Sequence, residues 1–296
     1  MVTSAGHGRR HGVCVRLQEG QMEGKFTGAG GKSIFWQAWL PDDEQTVRGV
    51  VVISHGMHEH GGRYEAVAET LVGKGFAVYA VDHAGHGRSD GARGDMNHLD
   101  EVVADLDQLI MLARQRHPNI PVFLLGHSAG GLIALSYVTA RPRELAGLIL
   151  SAPAVDISVV SPVQKRIAGV IASVAPKLPL VPLDSSLVSR DPAIVEYHRT
   201  NPLMVHNKMR ARSVYEGVTA AESVQAKLSS LTLPLLVMTG TEDKLVSPNG
   251  ARMVVERASS ADKTYHEYDG LYHEIFNEPE RETVLADLVD WLDSHV

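Results

Sequence analysis

The chain has one cysteine, Cys14, among 296 residues, and that scarcity removes whole classes of chemistry. A lone thiol closes no internal disulfide, builds no thiolate zinc cluster and forms no redox pair. Nothing in cysteine usage points to an oxidising compartment. Long apolar runs are also missing. The greasiest segment, residues 167–183, is broken by Pro176, Lys177, Pro179 and Pro182, so it does not read as a membrane span. No run of Lys and Arg is present to follow a phosphate backbone, and 28 basic against 35 acidic residues leave a formal charge of −7. Nucleic acid is therefore excluded as a partner. The opening MVTSAGHGRRHGVCVRLQEGQ carries positive charge without the apolar stretch of a secretion signal. Residues 1–22 read as a flexible extension, with Met22 as an alternative initiator, and localisation reads as cytoplasmic, with peripheral membrane contact left open.

What is present is ordinary globular composition, 44% hydrophobic and 21% charged, enough to bury a sizeable core. Short β-rich runs recur at Ser33 to Leu40, Gly49 to Ser54, Phe76 to Asp82, Val122 to Gly126, Gly147 to Ala152, Leu235 to Thr239 and Lys263 to Tyr268. Several are apolar throughout, as strands buried on both faces of a parallel sheet must be. Helical patterns fall between them, at Arg63 to Gly73, Leu99 to Arg116, Gly130 to Ala140, Asn249 to Arg257 and Glu280 to Ser294. This alternation predicts a doubly wound α/β fold. It breaks between about residues 154 and 230, where Val, Ile and Ala alternate with prolines and no convincing strand appears. The expected organisation is a core of residues 23–153 and 231–296, with residues 154–230 inserted as a helical cap above the carboxyl edge of the sheet, where such sheets bind ligands.

The stretch Gly126-His127-Ser128-Ala129-Gly130 matches G-x-S-x-G between a buried strand and an apolar helix, the setting of a nucleophile elbow. A serine hydroxyl is a poor nucleophile and needs a base, which in turn needs an orienting carboxylate. In this fold the chain order is Ser, acid, His. Asp243 ends the turn after the buried run from Leu235 and is preferred to its neighbour Glu242 as the shorter acid, followed by Leu245 and Val246. His273 lies in the loop after the last strand, past the acid, whereas His266 falls inside that strand and His295 near the end of the chain. The oxyanion requires two backbone N–H donors, assigned to Ala129 and, in the loop after Val50 to Ile53, to Met57.

Competing signals fail on spacing. His55, His58, His60, His83 and His86 suggest a metal cluster, yet His58-Glu59-His60 is not H-E-x-x-H and no completed ligand set follows, so no metal is expected. Gly85 to Gly91 is one residue too long for G-x-G-x-x-G, and Gly31-Lys32-Ser33 lacks the leading glycine of a phosphate loop. No cofactor is implied.

Taken together, Ser54-His55-Gly56, Glu59-His60, Gly62-Arg63-Tyr64, residues 82–89, Leu125 to Ser128, Asp184-Ser185-Ser186 and Gly270 to His273 resemble the monoacylglycerol lipases of the α/β-hydrolase superfamily, over residues 24–296. The resemblance implies a serine hydrolase that splits monoacylglycerol into fatty acid and glycerol, with a cap over an apolar acyl tunnel. It also implies a polar glycerol pocket lined by Glu59, Arg63, His127 and, on the cap, His198, where the family pattern has tyrosine. Ala129 stands where many relatives carry methionine; the donor is a backbone amide, so the hole survives. Ile157, Val160, Val163, Ile167, Val170, Ile171 and Val174 recur at helical spacing, as core packing or as a lipid-docking face with Lys165 and Arg166 near head groups. A lysophospholipase or broad carboxylesterase fits the same triad, and an inactive binding protein is the reading from outside enzymology. Oligomeric state is not legible.

Overall fold

A strand covered on both faces buries every residue, and the central strands do so to the last position. The computed structural model describes residues 14–18, 20–96, 98–140, 144–158 and 160–296. Within it β4 (Gly49–Ser54), β5 (Phe76–Val81), β6 (Val122–His127), β7 (Gly147–Ser151) and β10 (Leu235–Gly240) are buried at every residue. They run parallel in a nine-stranded sheet of order β1-β2-β3-β5-β4-β6-β7-β10-β11, closed at the far edge by β11 (Lys263–Tyr268). At the other edge β1 (Cys14–Gln18), β2 (Gln21–Thr27) and β3 (Ser33–Trp39) form an antiparallel meander that meets β5 antiparallel. The two-residue period of a strand sorts side chains to opposite faces. Val50 and Val52 join the cluster under α2 (Leu99–Arg116), α3 (Ala129–Ala140) and α7 (Asn249–Arg257), while Val51 and Ile53 join the cluster under α1 (Glu65–Val72) and α8 (Arg281–Asp293).

The α/β alternation expected from the sequence is therefore present, with two corrections. The flexible extension does not reach residue 22: Cys14–Gln18 pairs with β2 from Gln18↔Gln21 to Cys14↔Lys25, while residues 1–13 lie outside the described part. The strand is short and mixed in polarity, so no period marks it. The excursion after β7 also holds two strands, β8 (Pro179–Val181) and β9 (Met209–Arg210), paired antiparallel between α4 (Pro162–Val174), α5 (Pro192–Thr200) and α6 (Ala211–Lys227). Segments of two or three residues, one begun by proline, are below what alternation can reveal. α6 carries Ala220, Ala221 and Val224 into the apolar cluster under α3, so the excursion is anchored on the core at its return. No described helix is long and apolar enough to cross a membrane.

Two glycines give opposite expectations on replacement by alanine. A Cβ on Gly130 would stand 2.0 Å from the carbonyl oxygen of Ser54, which is backbone and cannot swing away. Gly130→Ala should therefore destabilise by about 1–3 kcal/mol, as overpacked sites do. Gly217, inside α6, meets nothing within 4 Å, so Gly217→Ala should stabilise by about 0.4–1 kcal/mol through helix propensity and a less disordered unfolded chain. Urea unfolding of the two variants checks the sign of each; equal effects would contradict the packing described.

Candidate active site

Ser128 sits between the end of β6 and the start of α3 with φ at +55°, a left-handed conformation that costs energy for any residue with a Cβ. Its backbone is pinned on both sides: its N–H donates to Ser151 O at 2.9 Å, and its carbonyl accepts from Gly131, Leu132 and Ala154 at 3.0, 3.2 and 3.0 Å. The flanking glycines are demanded by space. A Cβ on Gly126 would lie 2.6 Å from Gly130 O, and one on Gly130 would strike the carbonyls of Ser54 and His55. The turn is thus jammed against the end of β4, and Gly56 is so close that a Cβ there would lie 3.1 Å from Ser128 Cβ.

Asp243 lies three residues past β10, its carboxylate fully buried. Oδ1 accepts from the N–H groups of Leu245 and Val246, both at 2.9 Å, and Oδ2 accepts from His273 Nδ1 at 2.7 Å. Glu242 is exposed, so of the two adjacent acids Asp243 is the one turned inward. The loop of His273 passes over Gly240, where a Cβ would come within 2.2 Å of Leu271 O. Burial works to lower the proton affinity of His273, but the hydrogen bond and charge of Asp243 outweigh it and hold the imidazole above its ordinary 6.5. Donation from Nδ1 leaves Nε2 as the basic nitrogen.

Of the three residues expected to converge, His273 and Asp243 are joined directly. Among the described residues no hydrogen bond links Ser128 Oγ to His273. His127, which precedes Ser128, lies against the base, its ring centroid 4.7 Å from that of His273. Such bonds are often long before substrate is bound and tighten in the complex. Met57 and Ala129 flank the same spot: Ala129 opens α3, and Met57 follows Gly56 in the loop after β4. Among the described residues neither amide donates to a backbone acceptor.

Behind the elbow lies a buried polar wall. Arg63 donates from Nη1 and Nη2 to both oxygens of Glu274 at 2.6 Å each, and from Nη1 to Glu59 Oε2 at 3.0 Å. Glu59 Oε1 also accepts from Gly56 N at 2.6 Å and from Tyr64 OH at 2.9 Å. Burial works to raise the Glu274 carboxyl, yet Arg63 overcomes it and holds the group down to about 2. Glu59, Arg63 and His127 line one small cavity with Glu274, Phe276 and Asn277. His198 borders a different cavity, on the cap, with His58, Arg199 and His206. Glu274 escaped the sequence reading. Its single signal there is that it follows His273.

His55, His83 and His86 pack under the elbow, with ring centroids 4.4 Å apart for His55 and His83 and 5.5 Å for His55 and His86. His55 Nδ1 meets Gly56 O at 2.7 Å and its Nε2 accepts from His83 N at 2.9 Å, which sets a neutral tautomer. Among the described residues no group of three or more His, Cys, Asp or Glu is placed to hold a metal. Burial, then neighbouring histidines, push His58 and His83 down to about 3; burial, then Arg63, pushes His60 to about 4.

These histidines are neutral in the fold and would take up protons from 6.5 downward once unfolded, so each adds stability that is complete above 6.5 and is lost as pH falls toward 3 to 4. Each group contributes a slope of up to about 1.4 kcal/mol per pH unit in that window. Asp82, raised to about 6 by burial, has the opposite sign and offsets part of one histidine. The denaturation midpoint should fall steeply between about pH 6 and 4. A flat profile across that interval would contradict the burial of the cluster.

Comparison with known proteins places the chain in context. Residues 45–280 match the family described as Serine aminopeptidase, S33. A monoacylglycerol lipase of Mycolicibacterium smegmatis is 42% identical over 275 residues, covering 93% of this chain and 98% of that protein. The monoglyceride lipase of Homo sapiens is 36% identical over 252 residues, 84% of this chain and 82% of that one. Among solved structures, a Paleococcus ferrophilus monoacylglycerol lipase superposes with a TM-score of 0.79 at 33% identity, covering 89% of this chain and 99% of that chain.

Proposed function

The chain belongs to the monoacylglycerol lipase family of S33-type α/β-hydrolases, and from that premise we propose that it cleaves monoacylglycerols to fatty acid and glycerol with Ser128, Asp243 and His273 as its triad. The observation that carries this is the 2.7 Å bond from His273 to a fully buried Asp243, set beside a serine held at φ +55°.

Ser128 Oγ attacks the ester carbonyl carbon while His273 Nε2 takes the hydroxyl proton, and Asp243 balances the imidazolium that forms. The carbonyl electrons move to oxygen, which receives the N–H groups of Met57 and Ala129. Collapse of the tetrahedral intermediate breaks the ester C–O bond, and His273 returns its proton to the leaving glycerol oxygen. Water then attacks the acyl-serine with His273 again as base, freeing the fatty acid. The buried polar groups of Glu59, Arg63 and His127 make the side on which the alcohol sits hydrophilic and closed, which favours monoesters over esters with a second acyl chain.

Residues 154–230 act as the cap, and their outer surface suits a lipid interface. Val163, Ile167, Val170 and Val174 recur every three or four residues along α4 and are all exposed, with Leu178 and Val181 continuing the patch. Core packing does not account for a stripe that faces outward. Lys165 and Arg166 beside it suit anionic head groups.

Ser128→Ala should lower ester hydrolysis by at least about 10³-fold and abolish labelling by a fluorophosphonate, while leaving the fold intact. Asp243→Asn should lower kcat on the order of 10³- to 10⁴-fold. Because the base must be neutral, activity of the unaltered enzyme should fall as pH drops through the raised value of His273, and Asp243→Asn should move that limb to lower pH. Near-normal activity of Ser128→Ala would end this reading. For the cap, Ile167→Ser with Val170→Ser should reduce co-flotation with phosphatidylglycerol vesicles without changing hydrolysis of a short soluble ester; undiminished flotation would remove α4 from the interface.

A further inference from the structure

We infer that Glu274 is a positioning residue, acting through Arg63 and Glu59 to hold the loop of His273 and the loop of Met57 in fixed relation to each other. The inference rests on the triad reading above and adds a part that the reading does not contain.

The path is continuous. His273 and Glu274 are neighbours whose side chains leave in different directions, one to Asp243 and the other to Arg63. The Glu274 N–H donates to Val188 O at 2.8 Å, so this short segment is tied at three places. Both oxygens of Glu274 meet the planar fork of Arg63 at 2.6 Å, and Asn277 Nδ2 adds a third donor to Oε2 at 3.0 Å. From Arg63 the path crosses to Glu59 at 3.0 Å, and from Glu59 to the N–H of Gly56 at 2.6 Å. Gly56 precedes Met57, the proposed oxyanion donor. The side chains of Arg63, Glu59 and Glu274 are 3%, 5% and 7% exposed.

Two arguments favour positioning over simple stabilisation or substrate contact. Burying charged groups away from water is costly and pairing only partly offsets the cost; an apolar cluster would serve stability as well or better. A rigid, bidentate link is instead suited to fixing geometry, because a proton acceptor and an oxyanion donor misplaced by about 1 Å can lose about 10²-fold in rate. As for substrate contact, both terminal nitrogens of Arg63 are already engaged by carboxylates. The Glu274 carboxylate, held ionised by Arg63, also stands near the imidazole that becomes cationic in the transition state. Glu274 and Glu59 are both among the groups that raise the proton affinity of His273.

The test uses the full chain and two esters, a monoacylglycerol and p-nitrophenyl butyrate, which has no glycerol. Glu274→Gln and Arg63→Lys should each lower kcat by about 10- to 100-fold on both esters, with KM changed less than about 3-fold. Fluorophosphonate labelling should slow in parallel. Glu274→Gln should also move the acidic limb of the kcat/KM profile to lower pH, which a merely structural defect would not do. Glu274→Asp, which keeps the charge but shortens the reach, should keep the limb where it is. If Glu274→Gln fails to fold, Asn277→Ala, which removes one donor to Glu274, carries the test with a smaller kcat fall of about 2- to 5-fold. A KM rise confined to the monoacylglycerol would make Arg63 a substrate contact and overturn the inference. So would unchanged kcat and an unmoved pH limb in a folded Glu274→Gln. Failure of the triad reading is read separately, from an active Ser128→Ala.

Discussion

The close approach of two chain crossings at the carboxyl edge of the sheet is the constraint on which the rest depends. Gly130 lets the first turn of α3 lie against the carbonyls of Ser54 and His55, with no room for even one added carbon. Because β4 and β6 are adjacent and parallel, their exits are forced side by side, and the loop of Met57 must then run past Ser128. A strained serine, two adjacent amides and a short distance between them are consequences of that one contact. Strain at Ser128 persists because four backbone hydrogen bonds and the jammed glycines over-determine its conformation.

Around this contact the fold buries polar groups that add little to stability and much to geometry. Asp82 receives the N–H of Gly61 at 2.7 Å and of Arg88 at 2.8 Å, and so joins the loop of the polar wall to the loop of His83 and His86. The neutral histidines beneath the elbow fill space that apolar residues could fill, at the expense of tolerance to acid. An apolar layer would not hold Gly56 O by a ring nitrogen, as His55 does at 2.7 Å. The region reads as one in which orientation, rather than burial, governs residue choice.

Much of this was legible in the sequence because it is local. Continuous apolar runs revealed the buried strands, and helices α2 and α7 fall on the residues where periodicity put them. The elbow announced itself through two glycines and a strand-to-helix switch. The preference for Asp243 over Glu242 rested on side-chain length, and the turn sends the first inward and the second to solvent. What escaped was short or non-local. β8 and β9 are too brief to show a period, and β1 owes its form to pairing with β2 rather than to its own pattern. The stripe on α4 was visible, but its exposed direction was not, since periodicity shows that a face exists and not what covers it. Glu274 depends on an arginine 211 residues away, and no spacing rule spans that distance.

The same non-local bonds decide which part of the excursion after β7 is tied to the loops of His273 and Met57. Val188 O holds Glu274 N, Ser189 Oγ donates to Asn277 O at 2.8 Å, and Arg190 Nε donates to the buried Glu278 at 2.6 Å. On the opposite flank Arg93 donates to Leu203 O at 2.7 Å, and Val205 N donates to His58 O at 2.9 Å. The segment from Val188 to Val205, which includes α5 and His198, is thus fastened at both ends to the loops that carry His273 and Met57. Among the described residues α4 makes no hydrogen bond to those loops: it packs on α6, with Ala172 buried, Tyr215 against Gly169 and an ion pair of Lys165 with Glu222. The excursion therefore has two differently anchored parts, a segment that includes α5, hydrogen-bonded to the loops of His273 and Met57, and an outer helix, α4, that packs on α6 and bears the exposed apolar stripe.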